Sequence, residues 1–73
     1  MHTPLPILRK RAEVDLMHFA ASSGADPEEV WGTLMTAQSK PEVLEHSEAG
    51  EGLWESFLVL RSAEKAALTT FAS

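Results

Sequence analysis

The sequence predicts an all-α fold, a small bundle of three longer helices and one short helix. Apolar residues recur at three- and four-residue spacing along most of the chain, which is the period of an amphipathic helix. Candidate helices are also bounded by proline, glycine or a capping side chain. We therefore expect residues 1–73 to form one helical domain whose first five residues, 1–5, are flexible. A chain this short without cysteine favours a reducing, cytoplasmic location, because small secreted domains usually need disulfides.

The first helix is predicted over residues 6–22. Its core-facing residues at helical spacing are Leu8, Ala12, Leu16, Phe19 and Ala20. Val14 and Met17 are expected to widen this apolar stripe, with Met17 acting as core filler. Gly24 follows two serines and is expected to end the helix in the left-handed conformation, which glycine adopts without steric cost.

The second helix has the clearest start signal of the chain. Asp26 supplies a capping side chain, Pro27 occupies the first helical position, and Glu29 follows three residues after the cap. The helix is predicted to continue to residue 39, before Lys40 and Pro41. Its buried residues are predicted to be Val30, Trp31, Leu34 and Met35. A short third helix over residues 41–46 would present Val43 and Leu44 to the core.

Residues 48–52 contain two glycines and two carboxylates, and this composition predicts a mobile loop. A last helix is expected over residues 53–71. Its inward face is predicted to carry Trp54, Phe57, Leu58, Arg61, Leu68 and Phe71, with Leu60, Ala63 and Ala67 beside it. Because residues 57–60 are continuously apolar, a short buried strand there stays open as an alternative. Both tryptophans are expected to be core residues.

A basic run, Arg9-Lys10-Arg11, holds half of the lysines and arginines of an acidic protein whose net charge is −5. Residues 12–60 contain ten carboxylates and one base, so the positive charge is concentrated at the N-terminal end. Cations in the first turns of a helix face the positive pole of the helix dipole and cost stability. A locally unfavourable pattern of this kind is a candidate for function.

Two interpretations of the basic run stay open. In the structural one, Arg9 pairs with Glu13 and Arg11 pairs with Asp15 along one helix. In the functional one, the run and the aliphatic residues around it form a recognition surface for an acidic partner. The residues predicted to bind the partner are Leu5, Ile7, Leu8, Arg9, Lys10, Arg11, Val14 and His18.

Other kinds of site are disfavoured by the sequence. The second and third helices resemble a helix-turn-helix in spacing, but the would-be recognition helix carries Glu42 and Glu45 where a DNA reader needs cations. Glu42 and His46 have metal-ligand spacing without the further ligands that structural zinc requires. No serine lies in a nucleophile elbow, and a chain this short has little volume for a pocket. We therefore expect no catalytic residues, no metal site and no cofactor.

The overall size, the acidic balance, the lack of cysteine and the start Leu5-Pro6-Ile7-Leu8-Arg9-Lys10-Arg11 resemble the small regulators by which lytic bacteriophages act on host RNA polymerase. The resemblance is one of type over the whole chain and rests on no shared motif. It implies binding to bacterial RNA polymerase subunits, with inhibition of transcription initiation or antitermination as the result. It also implies the host bacterial cytoplasm as the location.

Two rival functions are left open. The first is a transcriptional regulator that binds nucleic acid through the basic N-terminal arm, although the net negative charge makes direct nucleic-acid binding the less favoured reading. The second is a structural or assembly protein that forms a homodimer through apolar residues of the last helix. We expect no membrane insertion, since no stretch approaches the roughly 20 apolar residues that a bilayer requires, and the oligomeric state is expected to be monomer or homodimer.

Overall fold

A computed structural model of the chain describes the backbone of residues 4–72 and the side chains of residues 4–69. It contains α1 (Leu5–Ser23), α2 (Pro27–Thr36), a single 3-10 turn (Glu42–Leu44) and α3 (Glu48–Ala72), and the described residues include no strand. The all-α prediction is therefore confirmed, and residues 57–60 are helical rather than a strand. The expected flexibility of residues 1–5 falls mainly on residues 1–3, outside the described part of the chain.

α1 begins and ends close to where the sequence predicts. Its buried residues are the five that the helical spacing selected: Leu8, Ala12, Leu16, Phe19 and Ala20. Gly24 adopts the left-handed conformation (φ 73°), and its N–H donates to the carbonyl of Ala20. The predicted widening of the stripe is wrong, because Val14 and Met17 are 54% and 53% exposed. Within the described residues no other helix covers either side chain.

α2 begins at the predicted cap, where the Asp26 carboxylate accepts a hydrogen bond from the Glu28 N–H at 3.1 Å. It ends at Thr36, three residues earlier than expected. Val30 and Leu34 are buried, whereas Met35 is 46% exposed, so its predicted burial is wrong. The early end follows from the backbone, which becomes extended at residue 37 (φ −74°, ψ 136°).

The short third helix is reduced to one 3-10 turn, in which Leu44 is fully buried and Val43 is 53% exposed. The predicted loop over residues 48–52 is wrong, since these residues form the first turns of α3. The hydroxyl of Ser47 accepts a hydrogen bond from the Gly50 N–H at 3.1 Å, and the Ser47 carbonyl accepts one from the Glu51 N–H. Ser47 thereby caps the helix, as serine does at many N-termini.

α3 runs alongside α1 in the antiparallel sense. The α3 residues that enter the core are Leu53, Phe57 and Leu60. The predicted face is therefore rotated from the real one, because Leu58 is 47% and Leu68 is 70% exposed, and Arg61 is exposed as well. Phe71 lies outside the residues whose side chains are described.

The core consists of two clusters. The larger one joins α1, α2, the 3-10 turn and α3 through Leu16, Phe19, Val30, Leu34, Leu44, Leu53 and Phe57. The smaller one, at the N-terminal end of α1, contains Leu8, Ala12 and Leu60. Trp31 packs against both clusters and meets Phe57 edge-on at 5.3 Å between ring centroids, while Trp54 stacks on Phe57 at 5.8 Å. Both indoles are half-buried, so they border the core rather than fill it.

Candidate protein-binding site

The three cations of the basic run do not share one role in the structure. Arg9 points along the side of α1 and forms an ion pair with Glu64 of α3, at 3.6 Å between Nη2 and Oε2. Glu64 also pairs with Arg61 at 3.2 Å. Arg9 therefore belongs to a surface network that links α1 to α3. Exposed pairs of this kind contribute about 0.2–1 kcal/mol.

Lys10 and Arg11 are exposed, and neither side chain forms an ion pair or hydrogen bond with any of the described residues. The intrahelical pairs that the sequence suggested are not formed. Arg9 pairs with Glu64 instead of Glu13, and Asp15 accepts a hydrogen bond from the Ser56 hydroxyl of α3. Asp15, which lies one turn after Arg11 on α1, is therefore hydrogen-bonded to α3 and does not pair with Arg11.

Ile7 and Val14 lie on the same face of α1 as these two cations. Positions 7, 10, 11 and 14 have the spacing i, i+3, i+4 and i+7, which places them side by side on a helix. Ile7 is 52% and Val14 is 54% exposed. An open depression of about 430 Å³ is lined by Pro6, Ile7, Lys10, Arg11, Val14 and Asp15. His18 is exposed one turn after Val14. We call Ile7, Lys10, Arg11, Val14 and His18 the outward face of α1.

Three of the predicted site residues, Leu5, Leu8 and Arg9, lie outside the outward face of α1. Leu8 is 5% exposed and packs against Ala12 and Leu60, so it cannot contact a partner while the helices stay packed. Leu5 is half-buried against the same cluster. The reason is the helical period, which directs residues 5, 8 and 12 inward and residues 7, 11 and 14 outward. Arg9, in the ion pair with Glu64, lies between these two sets.

The charge of the molecule is distributed unevenly along its long axis of 42 Å. Because α1 and α3 are antiparallel, the start of α1 lies beside the second half of α3, as the ion pair between Arg9 and Glu64 shows. Five of the six bases lie at that end: Arg9, Lys10, Arg11, Arg61 and Lys65. Such a concentration of bases orients a protein as it approaches a charged partner.

A second depression, of about 450 Å³, lies where α1, α2 and α3 meet. Its floor is apolar and formed by Leu16, Trp31 and Leu60, and its rim carries Arg9, Glu13 and Glu28. Sequence reasoning missed this groove because Trp31 was assigned to the core interior. The partial exposure of Trp31 depends on the distance between α1 and α2, which no local sequence pattern predicts.

Residues that could support chemistry are dispersed. Among residues 4–72 no group of three or more His, Asp or Glu side chains is placed to hold a metal ion. The hydroxyls of Ser22 and Ser23 donate to helix carbonyls, and the Ser56 hydroxyl donates to Asp15. No helix in the described part of the chain is long and apolar enough to cross a membrane.

Comparisons of the chain with protein-family models, with curated proteins and with solved structures gave no match. The described residues form three helices and one 3-10 turn, and one face of α1 combines exposed aliphatic side chains with Lys10 and Arg11, which form no ion pair within that part of the chain.

Proposed function

We propose that this protein is a small non-catalytic regulator that acts by binding a larger protein through the outward face of α1. The observation that carries the proposal is the arrangement of Lys10 and Arg11, which are unpaired within the described chain and stand between half-exposed Ile7 and Val14. Aliphatic side chains exclude water at the centre of an interface, and cations beside them select an acidic partner and speed its encounter.

The partner we propose is bacterial RNA polymerase, with inhibition of transcription initiation or antitermination as the outcome. This choice rests on the resemblance in size, charge balance and basic-aliphatic start to phage regulators of that enzyme. The proposal includes the bacterial cytoplasm as the site of action. A chain of this size regulates by occupying a surface of a larger machine, since its own core leaves no room for an enclosed active site.

Two observations favour other functions strongly enough to be tested beside it. The concentration of five bases at one end favours nucleic-acid binding, which predicts an affinity that falls steeply with salt. Exposed Leu58 and Val59 on α3 favour a homodimer, which predicts a melting temperature that rises with protein concentration.

The test is an affinity capture from bacterial lysate with the tagged full chain and two charge-reversal variants. The test variant is Lys10→Glu/Arg11→Glu. The matched control is Ser62→Glu/Lys65→Glu/Thr69→Glu, which changes the net charge by the same amount through exposed residues at the same end of the molecule. Arg9 and Arg61 are left intact in both variants, because a glutamate at either position would face Glu64 and disturb the fold.

We expect the wild type and the Ser62→Glu/Lys65→Glu/Thr69→Glu control to retain RNA polymerase subunits after nuclease treatment, and the Lys10→Glu/Arg11→Glu variant to lose them. Circular dichroism and the melting temperature should be close to wild type for both variants. Equal loss in both variants would show that only net charge matters and would contradict a site on α1. Capture that disappears on nuclease treatment would favour the nucleic-acid function.

A further inference from the structure

α1 carries apolar residues on two opposite faces. One face is buried against α2 and α3. The other presents Ile7, Val14, Met17 and Ala21 to solvent. A helix that is apolar on both sides is usually placed between two layers of a protein. In the described chain α1 packs against α2 and α3, and Ile7, Val14 and Met17 on the other face are each more than half exposed.

The exposed apolar residues follow a seven-residue repeat. Ile7, Val14 and Ala21 are seven residues apart, and Lys10 and Met17 occupy the second position of the same repeat. This is the spacing by which one helix packs lengthwise against another, with side chains of each filling spaces on the other. The stripe from Ile7 to Ala21 is about 21 Å long, since a helix rises about 1.5 Å per residue. Its shape therefore matches a helix of about four turns.

We propose that the outward face of α1, together with Met17 and Ala21, binds an acidic amphipathic α-helix of another protein. This helix packs lengthwise against α1 from Ile7 to Ala21 and places carboxylates opposite Lys10 and Arg11. The inference rests on the proposed function and specifies the kind of structure that the partner presents.

The charges on α1 select a foreign acidic helix over a second copy of this chain. An antiparallel pair of α1 helices centred on Val14 would place Lys10 beside His18 of the second copy. A parallel pair would place Lys10 beside Lys10. Asp15 lies at the edge of the stripe but is hydrogen-bonded to Ser56. Neither pairing supplies a carboxylate to Lys10 or Arg11, so the carboxylates must come from the partner helix.

The proposal is tested by titrating the isotopically labelled full chain with two stapled helical peptides of about 15 residues, the length that spans the stripe. Both peptides have leucine at the first and fourth positions of each heptad. One carries glutamate at the flanking positions and the other carries lysine there. Amide chemical shifts report the site, and a duplex DNA oligonucleotide is titrated in parallel.

A matched pair of substitutions tests the apolar contact. Val14→Asp places a charge at the centre of the stripe, and Val43→Asp makes the same change at an equally exposed valine of the 3-10 turn (54% and 53% exposed). Chemical shifts of each free variant show that it is folded. Because both valines are exposed, we expect both variants to fold.

We expect the glutamate peptide to shift amides of α1 between residues 7 and 21 and to bind at least about tenfold more tightly than the lysine peptide. Val14→Asp and Lys10→Glu/Arg11→Glu should each weaken this binding about tenfold, whereas Val43→Asp should leave it unchanged. Failure of the glutamate peptide to bind at roughly 1 mM, or equal binding of both peptides, would overturn the proposal. So would shifts of α1 amides by DNA alone.

The outcome separates this inference from the proposed function. If RNA polymerase capture depends on Lys10 and Arg11 but the glutamate peptide does not bind, the regulator function stands and the helical mode of recognition is refuted. If the peptide binds but no polymerase is captured, the helix-binding face stands and the partner is another acidic protein.

Discussion

Replacing Gly50 with alanine should destabilise the protein, although the same change usually stabilises a helix. Gly50 lies in the first turn of α3 and is buried against the backbone of the 3-10 turn. A Cβ atom at this position would lie 2.4 Å from the Leu44 carbonyl oxygen and 2.8 Å from the Leu44 Cα. Both atoms belong to the backbone, so neither can move aside by a change of rotamer. α3 and the 3-10 turn would have to separate.

The magnitude follows from two opposing terms. Alanine in a helix interior is favoured over glycine by about 0.8–1 kcal/mol, and the gain is smaller near a helix end. Forcing an extra methyl group into a packed site typically costs about 1–3 kcal/mol. Because the obstacle is backbone and Leu44 is fully buried, the upper part of this range applies. We expect a net loss of roughly 1–2 kcal/mol, which corresponds to a decrease in Tm of about 4–16 °C in a domain of this size.

Gly52 provides the matched control two residues further along the same helix. A Cβ atom there meets no other atom within 4 Å. Gly52→Ala should therefore raise the free energy of unfolding by about 0.5–1 kcal/mol, because only the helix propensity changes. Urea unfolding followed by circular dichroism measures both variants under one set of conditions. If Gly50→Ala stabilised the protein as much as Gly52→Ala, the close approach of α3 to Leu44 would be refuted.

Three further predictions test the packing, the cap and the ion-pair network. Leu44→Ala should lower the free energy of unfolding in urea melts by about 2–5 kcal/mol, whereas Val43→Ala should change it by less than about 0.5 kcal/mol, because only Leu44 is buried. Similar losses in the two variants would contradict the placement of the 3-10 turn. Asp26→Ala should cost about 1 kcal/mol, and Asp26→Asn much less, because asparagine keeps the capping oxygen. Arg9→Glu should lower Tm more than Arg9→Gln in thermal melts at low salt, because the new carboxylate faces Glu64. An identical Tm for the two variants would mean that the ion pair between Arg9 and Glu64 does not hold α1 to α3.

The inward face of α1 and the ends of two helices could be predicted because they depend on short-range rules. The helical period alone separates the buried residues of α1 from the exposed Ile7. A left-handed Gly24 and an Asp26 cap need only the residues on either side of them. Each of these features would form in almost any helical protein with the same local sequence.

The exposed apolar residues and the start of α3 could not be predicted in this way. Val14, Met17 and Met35 extend the apolar stripes at the correct period, but burial requires a neighbouring helix on that side, and the described chain has none there. Gly50 and Gly52 have low helix propensity, which favours a loop over residues 48–52. A helix nevertheless forms there, capped by Ser47 and with Gly50 packed closely against the backbone of Leu44, a contact that is remote from any local pattern.

The same distinction between local sequence pattern and tertiary packing applies to the candidate site. The concentration of cations in Arg9-Lys10-Arg11 and the presence of aliphatic residues around them are properties of the sequence. Tertiary structure decided which of these cations form ion pairs within the described chain. Glu64 of α3 pairs with Arg9, and Ser56, 41 residues after Asp15, donates a hydrogen bond to the Asp15 carboxylate. Pattern and period determine which way a side chain points on its own helix, whereas exposure and ion pairing depend on what the rest of the chain brings to meet it.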